Sequence, residues 1–169
     1  EYEQGLRDFY QDKFHPKMSE IMNKHFEDFY NISPEIIPEA IPLFRFLYNY
    51  PQISFFAANT LAGQDWTRVK IENMKKMCGI DNIPFYTTSI ESSKDWERPV
   101  SDALNLGLTH QNILVIGDSL DSDILPAQNL GVKNLIWIDR RDQNNTKENP
   151  YEIQDLIVVK TLDEIWEIE

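Results

Sequence analysis

The apolar run Ile113-Leu114-Val115-Ile116 stops at Gly117 and gives way at once to Asp118, Asp121 and Asp123. Carboxylates gathered where a buried strand ends suit a hard cation, because the strand's carboxyl end delivers an acid into the crevice above the sheet. Gly117 is expected to let the chain turn sharply there. Asp118, directly at the strand's end, is placed to hold a Mg²⁺ that bridges to a phosphate oxygen. Asp123 can orient a metal-bound water, or it can cap the following helix. Asp121, Ser122 and Asp123 together would favour that helix's dipole, and for both aspartates the two readings stand level.

The letters Gly117-Asp118-Ser119-Leu120 also spell the signature of the Gly-Asp-Ser-Leu esterases, in which the serine is a nucleophile. Such a serine needs a histidine base held by an acid. That family carries its signature early and its histidine late. Here the signature is late and His15, His25 and His110 all precede it, so Ser119 is not read as a nucleophile.

The elements that must position the acidic turn follow from periodicity. Ser33-Pro34 and Pro38 lead into a helix through Ala40, Leu43, Phe44 and Leu47. Ile53 to Ala58 reads as a buried strand ending at Asn59-Thr60, followed by a helix carrying Trp66, Val69, Met74 and Met77 and closed by Gly79. Pro84 to Thr88 is a short strand, Ser89 to Glu97 a polar loop, and Pro99 to Leu106 a helix stopped by Gly107. After the turn comes a helix to Leu130 with Gly131 as its stop, then a strand from Asn134 to Ile138. Arg140 to Pro150 is a charged loop, and a strand at Leu156–Val159 and a helix at Leu162–Ile168 finish the chain. Strands alternating with helices at this spacing predict an α/β protein with a doubly wound parallel sheet. Residues 1–32 read instead as two aromatic-rich helices, with Leu6, Tyr10 and Phe14 on one, Met18, Ile21, Met22, Phe26 and Phe29 on the other, and Pro16 between them. Their stripe is expected to pack as core or against a neighbouring element. Residues 33–169 form the expected α/β core.

A chain of 169 residues with 41% hydrophobic and 12% aromatic content can bury a real core. A formal net charge of -12 argues against a general binder of nucleic acid or of an anionic membrane surface, since phosphates would be repelled. The single Cys78 excludes an internal disulfide and a cysteine metal cluster, and a cytoplasmic location is the expectation. No apolar run approaches the length of a membrane span, and no signal-peptide pattern is seen. The start at Glu1 rather than Met is read as the mark of a sequence trimmed, processed or excised from something longer.

From about residue 34 onward the chain resembles the haloacid-dehalogenase-like (HAD) superfamily of phosphohydrolases, with a Rossmann-like core. Ser33 to Leu43 resembles the helix before the second family motif, Ile53–Asn59 that motif's strand, and Ser93-Lys94 the third motif. Gly117–Asp123, followed by Ala127 and Leu130-Gly131, is a close match to the fourth. Asn134–Arg141 and Thr161–Ile168 resemble the usual finish of the fold, and residues 1–32 would be part of a cap. The resemblance implies attack on phosphorus by an aspartate, a second aspartate as acid and base, and Mg²⁺ steadying the developing charge. It makes Asp118 the metal ligand, and Asp123 an outer partner. Lys94 becomes the charge-balancing lysine, with Arg98 competing for that place, and Asn59 stands beside the phosphate-binding residue. The implied substrate is a phosphorylated small molecule.

Two departures qualify that picture. Ala58 stands where the second motif presents Ser or Thr, and Thr60 is the hydroxyl nearest to replacing it. The first motif, a strand ending in Asp-x-Asp-x-Thr, is absent, since the sole Asp-x-Asp is Asp121-Ser122-Asp123. The nucleophile would be missing, and with it the middle strand of the sheet, between Ile53–Ala58 and Ile113–Ile116. Those edges would close on each other or be filled by a missing segment or protein partner. The chain as given is expected to be inactive; the alternative is a degenerate domain that binds a protein or phospholigand. Trp96 and Arg140-Arg141 receive no role.

Overall fold

The computed structural model describes His15, Lys17, Met18, Glu20, Ile21, Lys24 and residues 35–88, 93–141 and 152–168. The chain divides into two units, Glu1–Pro34 and Glu35–Glu169. In the first, Lys17, Met18, Glu20, Ile21 and Lys24 are helical, and Met18 N–H donates to the His15 carbonyl at 2.7 Å. Ile21 is exposed, so it is not one of the core residues the stripe predicts. The other members of that stripe, Leu6, Tyr10, Phe14, Met22, Phe26 and Phe29, lie outside the described residues, as do Pro16, Ser33 and Pro34.

In the second unit helices and strands alternate. Helix α1 is Ala40–Asn49, strand β1 Ala58–Leu61, α2 Gln64–Cys78, β2 Phe85–Thr88 and α3 Glu97–Asn105. Strand β3 is Leu114–Gly117, α4 Leu125–Asn129, β4 Asn134–Ile138 and β5 Ile157–Val159. Every described pairing is parallel, and a helical crossover joins β1 to β2 and β3 to β4. The single sheet expected from the sequence is two: β1 with β2, and β3-β4-β5 in that order. Among the described residues β1 and β3 each have one neighbour.

Burial along β4 shows the layering. Leu135 and Trp137 pack with Val100 of α3, Ala127 of α4, and Ile124 and Val132. Ile136 and Ile138, on the opposite face by the period of two, pack with Ala40 and Leu43 of α1 and with Val159 and Leu162. Helices thus cover both faces. A third cluster of Ile71, Cys78, Ile80 and Ile83 lies under α2, whose end is fixed by Gly79 in the left-handed region at φ 68° and by Arg45 Nε donating to the Cys78 carbonyl at 2.8 Å.

Three expectations need correction. The strand placed at Ile53–Ala58 begins only at Ala58, because β2 starts after Pro84, and the first bond available is Ala58 N–H to the Pro84 carbonyl at 2.9 Å. Ile53 to Ala57 run on without a ladder. The helix after the acidic turn opens as a π-turn over Leu120–Ile124 before α4, and the last helix is a 3₁₀ turn at Asp163–Glu167.

Asp139 joins β4 to β5 from beneath. Its N–H donates to the Val159 carbonyl at 2.8 Å, and its side chain is fully buried. The carboxylate accepts from Arg141 Nε at 2.8 Å and Lys160 Nζ at 2.9 Å. Arg141 first and Lys160 second hold this carboxyl far below its ordinary 3.8. Such a depressed group stabilises the fold fully above 3.8, and its contribution is lost as the pH falls from there through the folded-state value. Asp139→Asn should cost on the order of 2 kcal/mol at neutral pH, as for hydrogen bonds to a charged group. Urea unfolding should show the gap between wild type and variant narrowing as the pH is lowered below 3.8.

Candidate functional site

Asn59 of β1 and Asp118, just beyond β3, border one mouth, and the segment Lys94-Asp95-Trp96 connects the two strands. Asn59, in β1, donates from Nδ2 to the Asp95 carbonyl at 2.8 Å. Trp96 donates from Nε1 to the Ser122 carbonyl, beyond the end of β3, at 2.7 Å. Lys94 makes an ion pair with Asp123, both side chains being nearly buried. The short polar loop that reads as featureless in sequence thus holds both strand ends.

The acidic turn is shaped by its own hydrogen bonds. Ser119 caps it, with Oγ accepting from Ser122 N–H at 3.2 Å, while Asp123 Oδ2 accepts from Ser119 N–H at 3.2 Å. The N–H groups of Asp123 and Ile124 both donate to the Ser119 carbonyl, which winds the chain into the π-turn. Gly117 is needed here for space, since its φ lies outside the left-handed region. A Cβ on it would stand 2.4 Å from Asp123 Cβ. The sharp-turn reason inferred for Gly117 from sequence is therefore replaced by a close approach.

Asp118 lines the mouth and is exposed. Its carbonyl accepts from Trp137 Nε1 at 3.2 Å, and no described residue pairs with its carboxylate. Trp137 is itself covered by the Arg141 guanidinium, 4.6 Å from the ring centroid. Two indoles, from Trp96 and Trp137, therefore clamp the backbone on either side of the turn. Behind the mouth runs a cavity of about 710 Å³ between β1 and β3, floored by apolar side chains including Phe44, Phe55, Val100 and Val115. Tyr86 borders it and donates to Asp102 Oδ2 at 2.7 Å; burial and then that bond push its phenol up to about 12.

Of the residues singled out in sequence, the fold brings Asn59, Lys94, Asp118 and Asp123 to this mouth, whereas Thr60 is not among the residues lining it. Lys94 reaches the acidic turn and Arg98 does not: its guanidinium lies over the Tyr86 ring at 5.5 Å. Ala58 lines the cavity with no hydroxyl to offer. Asn59 Oδ1 is buried with no hydrogen-bond partner. The Ser119 hydroxyl serves as a cap, and no described histidine lines the mouth, so the esterase arrangement has no base. Trp96, Trp137 and Arg141 carried no signal in sequence, because each acts on a backbone carbonyl, a carboxylate or a ring that only the fold brings to it.

Among the described residues no group of three or more His, Cys, Asp or Glu converges. Asp123 is paired with Lys94, which leaves Asp118 as a carboxylate that no described residue pairs with. One carboxylate fits a single contact to a Mg²⁺ that keeps most of its water, though not a closed protein cage.

A parallel α/β domain with an acidic turn at a strand's carboxyl end, and a lysine held against that turn, defines the class. Residues 97–165 match the HAD-hydrolase-like family model, which supports a likeness to the haloacid-dehalogenase-like superfamily over that part of the chain. The match spans α3, the acidic turn, β4 and β5. No curated protein matches the chain. Among the described residues no helix is long and apolar enough to cross a membrane.

Gly117→Ala should destabilise the unit by about 1–3 kcal/mol through overpacking against Asp123. Gly63→Ala, where an added Cβ meets nothing within 4 Å, should change the denaturation midpoint little by comparison.

Proposed function

We propose that this chain is the scaffold of a Mg²⁺-dependent phosphohydrolase of the small-molecule phosphatase type, without an attacking carboxylate in these residues. The supporting observation is the convergence of Asp118, Lys94 and Asn59 at one mouth in a HAD-type fold. A bound Mg²⁺ would offset charge on the phosphoryl oxygens, and Asp118 is the residue that would hold it. Lys94 carries the balancing charge, fixed in place by Asp123. The contact to phosphate falls to Asn59 and the backbone beside it, with Thr60 set away from the mouth.

A second reading, binding without reaction, is favoured by one feature: Ala58 removes a hydroxyl from the mouth, and absence of the nucleophile segment does not account for that change. Without an attacking group the covalent route is closed, so phosphate release from p-nitrophenyl phosphate with Mg²⁺ should not exceed the protein-free rate. Robust turnover abolished by Asp118→Asn would overturn the proposal. Calorimetric titration should show weak Mg²⁺ binding that Asp118→Asn removes. Tight p-nitrophenyl phosphate binding that ignores both Mg²⁺ and this substitution would favour the second reading.

A further inference from the structure

We infer that Arg140 is a second anchor at the mouth, one that selects phosphate monoesters carrying a further anionic group, a carboxylate or another phosphate, a few bonds from the phosphorus. The inference rests on the phosphohydrolase reading and adds to it a class of substrate. The observation behind it is a cation without a partner. Lys94 is paired with Asp123, Arg141 and Lys160 hold Asp139, Arg98 lies over Tyr86, and Arg45 donates to the Cys78 and Met77 carbonyls. Arg140 is exposed, lines the same cavity as Asp118 and Asn59, and has no described residue paired with its guanidinium. The chain has 28 acidic residues against 16 basic ones, so a lining arginine left unpaired is open to an anion from outside.

The backbone explains why Arg140 differs from its neighbour. Asp139 is still held in the sheet, its N–H donating to the Val159 carbonyl, and its buried carboxylate draws Arg141 inward. Alternation along an extended chain then sets residue 140 on the other face, with Ile136 and Ile138. Gly117 is in register with Trp137, so one step further along both strands Asp118 stands level with Ile138, and Arg140 lies two residues past it. Strand spacing and rise put the Cα atoms of Asp118 and Arg140 roughly 8 Å apart. One small molecule can span that distance. With its phosphoryl group held at Asp118 through the proposed cation, the guanidinium fork of Arg140 receives a carboxylate or phosphate in two parallel N–H···O bonds. A neutral tail offers that fork no charged acceptor.

The test measures binding by calorimetry on the full chain with Mg²⁺ present, and so needs no turnover. Propyl phosphate is compared with 3-phosphooxypropanoate, the same ester ending in a carboxylate, and with 1,3-propanediol bisphosphate. The doubly anionic esters should bind about tenfold or more tightly than propyl phosphate, as charge-assisted hydrogen bonds allow. Arg140→Gln should remove that gain and leave propyl phosphate binding unchanged. Arg140→Lys, which keeps the charge without the fork, should keep part of the gain. Lys133→Gln, the same change of charge at an exposed residue just before β4, should keep all of it. A gain with one of the two doubly anionic esters alone supports the inference and identifies the group. A gain that survives Arg140→Gln, or that Lys133→Gln removes equally, would overturn it. So would propyl phosphate binding as tightly as the other two, in which case the phosphohydrolase reading stands without it. If none of the three esters binds, both readings fall.

Discussion

Asp123 folds back over Gly117 and is neutralised there by Lys94, and the geometry of the mouth depends on that contact. The carboxylate is almost wholly withdrawn from water, so it needs a cation and donors close by. Lys94 supplies the charge and Ser119 N–H a hydrogen bond. To meet them the side chain must cross the space where a Cβ at position 117 would stand, which leaves glycine as the residue that fits. The same contact fixes Lys94, and through Lys94 the loop that holds Asn59 and Trp96. A single buried charge thus sets the relative placement of two strand ends that share no backbone hydrogen bond.

That indirect connection matters because the ladder is interrupted. In an unbroken parallel sheet, neighbouring strands register one another through evenly spaced hydrogen bonds. Here β1 and β3 have none between them, and their carboxyl ends are joined by side chains alone: an amide to a carbonyl, an indole to a carbonyl, and an ion pair. Each half has its own hydrophobic support, β4 through packing on both faces and β1 through the cluster beneath α2. The two halves can therefore hold their folds with the space between them open.

Much of this arrangement was legible in the sequence. The apolar run at 113–116, the glycines at 79, 107 and 131, and the alternation of helix with strand foretold the parallel α/β fold and set Asp118 at a strand's end. Local pattern did not reveal the start of β1, because a strand begins where a partner offers hydrogen bonds, and Pro84 sets that point from a distant part of the chain. It also gave the wrong reason for Gly117, since a glycine kept for lack of space looks the same in sequence as one kept for its backbone freedom. The balance between capping and outer-partner roles for Asp123 could not be struck from spacing, as the deciding contact comes from Lys94, 29 residues away. Trp96 and Arg141 were passed over for a similar reason: their partners are a carbonyl, a buried carboxylate and a ring brought together by folding.

The division of charge at the mouth has a further consequence for what the site can hold. Lys94 is paired with Asp123, and Arg141 and Lys160 are turned inward by Asp139, whereas Arg140 is exposed and lines the cavity. Beside Arg140 the lining carries the Asp118 carboxylate and Asn59, whose Oδ1 is buried with no hydrogen-bond partner. Both are acceptors. A phosphate beside the Asp118 carboxylate meets Coulomb repulsion in a partly desolvated crevice. Occupation therefore calls for a cation beside the phosphate or for a group rich in donors. A divalent ion would meet the first requirement, with the Asp118 carboxylate as its protein contact.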